Sequence, residues 1–137
     1  MGASRRQTYP FTPRSATALT VGDIIPVESD TGSWACLQVV ELAPRKRSYF
    51  IIGLLDWRGH HMPTADDVAI AAPLRRALTG VEVFTEGGLT VTGNVAPADA
   101  GQEKHLDPGY IGKRTSVWGW RAAINKAKRH ADGFDVA

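Results

Sequence analysis

A single cysteine, Cys36, stands in 137 residues, so the chain closes no internal disulfide and its cysteine count carries no sign of an oxidising compartment. No stretch approaches the ~20 apolar residues that a bilayer-spanning helix needs, and the most apolar run, residues 49–55, has strand length. Residues 8–20 hold two prolines and no apolar core, so a secretory signal is not expected and a cytoplasmic location is. Zinc-ligand spacing, a Gly-x-Ser-x-Gly elbow and a His-Glu-x-x-His pair are all missing, which removes the sequence signatures of structural zinc sites, serine hydrolases and zinc proteases. Gly112-Lys113-Arg114-Thr115 ends like a phosphate-binding loop, but Asp107 stands where its first glycine belongs and Arg114 where Ser or Thr must follow the lysine. A nucleotide site is therefore rejected. No cofactor of any kind is expected.

What is present suits one globular domain. Hydrophobic residues make up 43% of the chain and charged ones 22%, enough apolar surface to build a core without a staple. The formal net charge is only +2, low for a dedicated nucleic-acid binder, although local patches can suffice. Such patches exist. Acids are missing from the first twenty residues and from residues 113–129, while Arg45-Lys46-Arg47 forms a separate basic knot.

The hydrophobic pattern predicts a mainly β (α+β) fold: a small, strongly bent antiparallel sheet or SH3-like barrel with a C-terminal helix. Residues 1–20, basic and proline-containing, read as a flexible arm, and residues 21–137 as the single domain. Residues 24–27 form a short strand whose Pro26 favours a sheet edge or a bulge, and residues 29–33 a turn rich in residues that bond their own backbone. Residues 34–42 and 49–57 are apolar on both faces, with Trp34, Cys36, Val40 and Leu42 opposite Ala35, Leu37 and Val39 in the first. Such strands need cover on both sides. Gly53 suggests a bend or bulge in the second. Thr64 is placed to cap a short helix that Pro73 stops or restarts before residues 74–78. Glu86-Gly87-Gly88, flanked by residues 81–85 and 89–95, reads as a β-hairpin. Residues 117–131 carry an apolar stripe of Val117, Trp120, Ile124, Ala127 and Ala131, capped by Ser116 and ended by Gly133.

Four histidines, of which His60 and His61 adjoin, have no third ligand at a metal spacing. Cys36 in an apolar strand is expected to be a small hydrophobe, not a thiolate. Asp66-Asp67 is explained by the dipole of a helical first turn. Catalysis is thus not expected. Aromatic residues beside cations are more informative, since guanidinium and indole stack and supply much interface energy. Trp57 and Trp120 read as core, whereas Trp118, within a turn of Arg121, reads as exposed. The candidate partner-binding residues are Arg45, Lys46, Arg47, Arg58, His60 and His61 in two exposed connections, with Trp118 and Arg121 as an extension on the helix.

The order of signals resembles the immunity protein 26 family of bacterial polymorphic-toxin systems over residues 21–95. Val21-Gly22-Asp23-Ile24-Ile25-Pro26-Val27, then Gly32 and a strand containing Gln38-Val39, resemble its opening. Gly80-Val81-Glu82-Val83-Phe84 and Leu89-Thr90-Val91-Thr92-Gly93 resemble its later strands. The resemblance implies a β-rich, non-catalytic cytoplasmic bacterial protein that binds and blocks a cognate toxin. The expected function is accordingly that of a non-enzymatic protein-binding domain, an antitoxin acting by occlusion, with no membrane contact and no small-molecule substrate. The alternative is a small-barrel nucleic-acid-binding protein that uses its basic loops and exposed aromatics.

Overall fold

The computed structural model describes residues 8–42, 48–98 and 116–134. Five strands, β1 (Asp23–Glu28), β2 (Trp34–Leu42), β3 (Tyr49–Gly59), β4 (Pro73–Gly80) and β5 (Gly93–Asn94), form one sheet in the order β4-β3-β2-β1-β5. Every neighbouring pair is antiparallel. The sheet is not closed, so of the two expected forms it is the open one. Among the described residues the α-helices are α1 (Glu82–Thr85) and α2 (Trp120–Ala131), and Ala16–Ala18 makes one 3-10 turn.

The two-sided hydrophobicity of β2 and β3 has the expected cause, because each face of the sheet is covered. On one side Ile25, Val27, Ala35, Leu37, Val39, Phe50, Ile52 and Leu54 pack with Ala123, Ile124, Ala127 and Ala131 of α2 and with Val83 and Phe84 of α1. On the other, Ile24, Cys36 and Leu55 pack with Val68 and Ala71 from the β3–β4 connection. Strict alternation along β2 fails at one point. Between Val39 and Glu41 the pairing with β3 shifts by a residue, and this bulge turns Leu42 to the α2 side, opposite Phe50, rather than to the face of Cys36. Gly53 lies between Val40 and Pro73; a Cβ there would stand 3.1 Å from both side chains. Pro26 pairs with Cys36 only, since β5 reaches no further than Asp23 and Ile24, and a missing amide is harmless on that side.

The N-terminal arm is corrected from residue 8 onward. Phe11 and Val91 exchange both backbone hydrogen bonds at 2.9 Å, and Ala16 and Leu19 enter the main core. Buried Asp23 fastens this segment: its carboxylate accepts hydrogen bonds from the Thr20 amide (2.8 Å), the Tyr9 hydroxyl (3.2 Å) and Asn94 Nδ2 (2.9 Å). Burial, then the Asp23 charge, raises the Tyr9 pKa above its ordinary value. Scattered apolar residues between prolines have no period, so their docking was invisible to pattern.

Residues 81–95 are not a hairpin. Glu82–Thr85 is a helical turn, and Gly88 closes it at φ +77°, with the Gly88 amide on the Phe84 carbonyl and the Leu89 amide on that of Val83. Two glycines suit a helix C-terminus as well as a hairpin; the adjacent pair Val83 and Phe84, both buried, suits only a wedge between α2 and the sheet. Gly87 sits where α1 meets α2, and a Cβ there would come within 2.5 Å of Ile124 Cδ1.

Residues 64–71 make hydrogen-bonded turns rather than a helix. Thr64 and Asp67 still cap each other, Asp67 N on Thr64 Oγ1 at 3.3 Å and Thr64 N on Asp67 Oδ2 at 2.9 Å. Pro73 then opens edge strand β4, not a second helical segment. The terminal helix begins at Trp120, three residues later than its stripe predicts, with Gly119 in place of Ser116 as cap. Residues 116–118 instead run parallel beside β4: the Leu78 amide donates to Ser116 O at 2.7 Å, and Trp118 N donates to Leu78 O at 2.9 Å. That pairing leaves Val117 exposed and drives Trp118 into the core.

Candidate functional site

Three local structures converge at one end of the sheet. The first is the β1–β2 turn, where Gly32 takes φ +87° and Ser29 Oγ accepts from the amides of Thr31 (3.3 Å) and Ser33 (3.2 Å). The second is the end of β3, residues 58–60. The third is the C-terminus of α2, a Schellman cap in which Gly133 N donates to His130 O and Phe134 N to Arg129 O. Thr31, Ser33, Arg58, His60, Asp132 and Phe134 line the resulting open cleft of about 620 Å³.

Its walls are tied across the fold. Asp132 Oδ1 accepts from Thr31 Oγ1 at 2.6 Å and from Ser29 Oγ at 2.7 Å, bonds that join residues a hundred positions apart. Those two hydroxyls hold the Asp132 carboxyl below the usual carboxylate range. Lys128 adds an exposed contact to Asp30 at 3.5 Å. Arg58 lies over the last helical turn, so near that a Cβ on Gly133 would stand 3.3 Å from its Nη1. A cation is favoured there by the carbonyl end of the helix. Arg58 and His60 are exposed, and neither makes an ion pair with a described residue. The Arg129 guanidinium covers the ring of half-exposed Phe134 at 5.0 Å. Next to the lining residue Ala131 is His130, 8% exposed, whose Nε2 has no hydrogen-bond partner. Burial first, then the Arg58 charge, lowers its pKa, against the opposing effects of Asp56 and of a hydrogen bond to the Trp57 carbonyl.

Of the residues expected to bind a partner, only Arg58 and His60 meet here. His61 points elsewhere, with Nε2 3.1 Å from Asp67 Oδ2 and its ring edge-on to Trp57. The Thr64 amide, then His61, keep the Asp67 pKa below the ordinary carboxylate value. Trp118 is corrected: it is 7% exposed, its carbonyl accepts from Thr79 Oγ1 at 2.7 Å, and the ammonium of Lys126, not the Arg121 guanidinium, lies over its ring at 5.5 Å. Arg121 covers Trp120 at 4.9 Å, about 18 Å along the helix from Gly133. Arg45, Lys46 and Arg47 lie outside the described residues. Asp132, Ser29, Thr31, Arg129 and Phe134 were missed as site residues, although the polar turn and the basic last turn before Gly133 are both readable.

Among the described residues no group of three or more His, Cys, Asp or Glu side chains is placed to hold a metal ion. Cys36 is sealed in the sheet, and burial pushes its thiol up to about 12. The Ser29 and Thr31 hydroxyls donate to a carboxylate, not to an imidazole base, so they form no activated nucleophile. The arrangement is suited to recognition by charge and shape. No helix of the described residues is long and apolar enough to cross a membrane. Compared with family models, curated proteins and solved structures, the chain matches none.

Proposed function

We propose that this chain is a non-enzymatic protein-binding domain of the immunity type, which occludes an acidic surface of a cognate toxin with the cleft between the β1–β2 turn, β3 and α2. The observation that carries the reading is the exposed pair Arg58 and His60, without ion-pair partners among the described residues, on walls already fixed by the Asp132 hydroxyl bonds. Unpaired cations cost least to leave in water and gain most from a carboxylate. A pre-tied wall loses little entropy on docking. Phe134 under Arg129 adds an aromatic rim of the kind that anchors protein interfaces. The strand–turn–strand of residues 23–42, which contains most of the opening part of the family resemblance, supplies one wall.

A photo-crosslinking amino acid at position 60, introduced in producing cells, will identify the partner by mass spectrometry. The captured protein is then titrated against the wild type and against R58Q/H60N. Loss of two charge-assisted contacts is expected to weaken binding about tenfold or more, while a 20-nucleotide single strand binds both forms equally. An oligonucleotide whose affinity falls in the double variant, with a salt slope shallower by about one for the lost Arg58 charge, would instead establish the nucleic-acid reading.

A further inference from the structure

We propose that His130 makes binding at this cleft proton-linked: an anionic partner seated on Arg58 draws a proton onto the buried ring, so the cleft grips it more tightly as pH falls. The inference rests on the reading of the cleft as a site for an acidic partner and adds the means of its regulation.

The geometry is specific. His130 is on the last turn of α2, almost wholly buried, and its Nε2 is sealed from solvent without a partner. The ring also hydrogen-bonds the Trp57 backbone, which favours its protonation. Arg58, the next residue along β3, lines the cleft and has its guanidinium against Gly133, three residues beyond His130. The same cation is open to a partner and close enough to the imidazole to act on its charge. The charges acting on the ring are Arg58, which opposes its protonation, and Asp56, which favours it, both from β3. On its own helix Lys128 turns to Asp30 of the β1–β2 turn, Arg129 to Phe134, and Asp132 to Ser29 and Thr31. Glu28, at the end of β1, is exposed.

With the cleft empty, burial and Arg58 keep the ring neutral near pH 7. A carboxylate paired with Arg58 cancels part of that repulsion, and the ring then accepts a proton at higher pH than before. Linkage is reciprocal: whatever binding does to the proton, the proton does to binding. Affinity therefore rises as pH falls through the His130 midpoint of the complex and levels off below that of the free protein.

Hexa-aspartate, mostly ionised above about pH 5, is the probe, and His60 is replaced by Asn in every protein so that His130 is the histidine at the cleft that the readout follows. The His130 Cε1–H resonance of H60N is followed by NMR from pH 4.5 to 8, with and without saturating peptide. The expected result is an upward move of the His130 midpoint on binding, and affinity about threefold to tenfold higher at pH 5.5 than at 7.5. H60N/H130Q is expected to lose that ratio while matching H60N at pH 7.5. Peptide affinity unchanged by R58Q overturns the cleft as the site, and with it this inference. Affinity that falls in R58Q while the His130 midpoint stays still overturns the proton linkage alone, and that result needs no folded His130 variant.

Discussion

Trp118 is the residue on which the pattern and the packing disagree most, so its replacement by Ala is the sharpest test of how the helix is entered. On the surface, Trp118→Ala would alter stability by no more than about 0.5 kcal/mol. In the structure the side chain is 7% exposed and belongs to the main core. Burial of a tryptophan withdraws about 200 Å² from water, and at about 25 cal/mol per Å² that is worth about 5 kcal/mol as an upper bound. Truncated large aromatics in cores lose about 3–5 kcal/mol. The backbone contacts are kept by Ala, because Trp118 N still reaches Leu78 O and Thr79 Oγ1 still reaches the residue 118 carbonyl. The loss is therefore that of packing. Urea unfolding followed by far-UV circular dichroism, with Val117→Ala as control, measures it. Val117 is 69% exposed and is expected to cost less than about 0.5 kcal/mol. Losses for the two variants within about 1 kcal/mol of each other would refute the placement of residues 116–118 beside β4.

Ile124→Ala is expected to cost about 2–5 kcal/mol, from lost transfer energy and a cavity against Gly87, while Lys128→Ala, whose Asp30 partner is almost fully exposed, changes stability by less than about 0.5 kcal/mol in the same urea assay. Acid should destabilise the fold through His130: its folded pKa lies below the unfolded value of about 6.5, so the unfolded chain binds more protons, and stability present above that pH is lost as pH falls toward the folded midpoint. Thermal midpoints between pH 7.5 and 5 check this, and a flatter profile in His130→Gln than in the wild type assigns the effect.

The sheet was legible because its signals are local. Two-sided apolar strands, a serine-and-glycine turn at residues 29–33 and a proline where no partner strand needs an amide all act within a few residues of themselves. The misreadings share a different cause. Glu86-Gly87-Gly88 permits a hairpin or a helix end with equal ease, and only the burial of both Val83 and Phe84 against α2 decides between them. Likewise Val117 continues the helical period of Trp120 and Ile124, yet residues 116–118 satisfy their backbone on Leu78. Tertiary hydrogen bonds overrode a correct periodicity. Leu42 shows the same limit inside a strand, since one bulged residue reverses which face every later side chain takes.

The candidate site was less legible than the fold for a related reason. Its essential bond, Asp132 to Thr31, spans 101 positions, and neither residue lies in a motif. Arg58 and His60 were found because cations at a strand end have no burial pattern, but that criterion selects Arg121 equally well, and the structure places Arg121 on Trp120 at the opposite end of α2. What distinguishes Arg58 is not its charge but its neighbours. A helix C-terminus supplies favourable carbonyls, a hydroxyl-rich turn fixes the acid beside it, and a buried imidazole on the same helix end is exposed to its charge. None of these needs the others for local stability, as each is an ordinary way to end a helix, close a hairpin or fill a core. Only the register that sets the end of β3 beside the β1–β2 turn, with Trp34 opposite Gly59, makes them one surface. The cleft is therefore a product of strand pairing first and of its charged residues second.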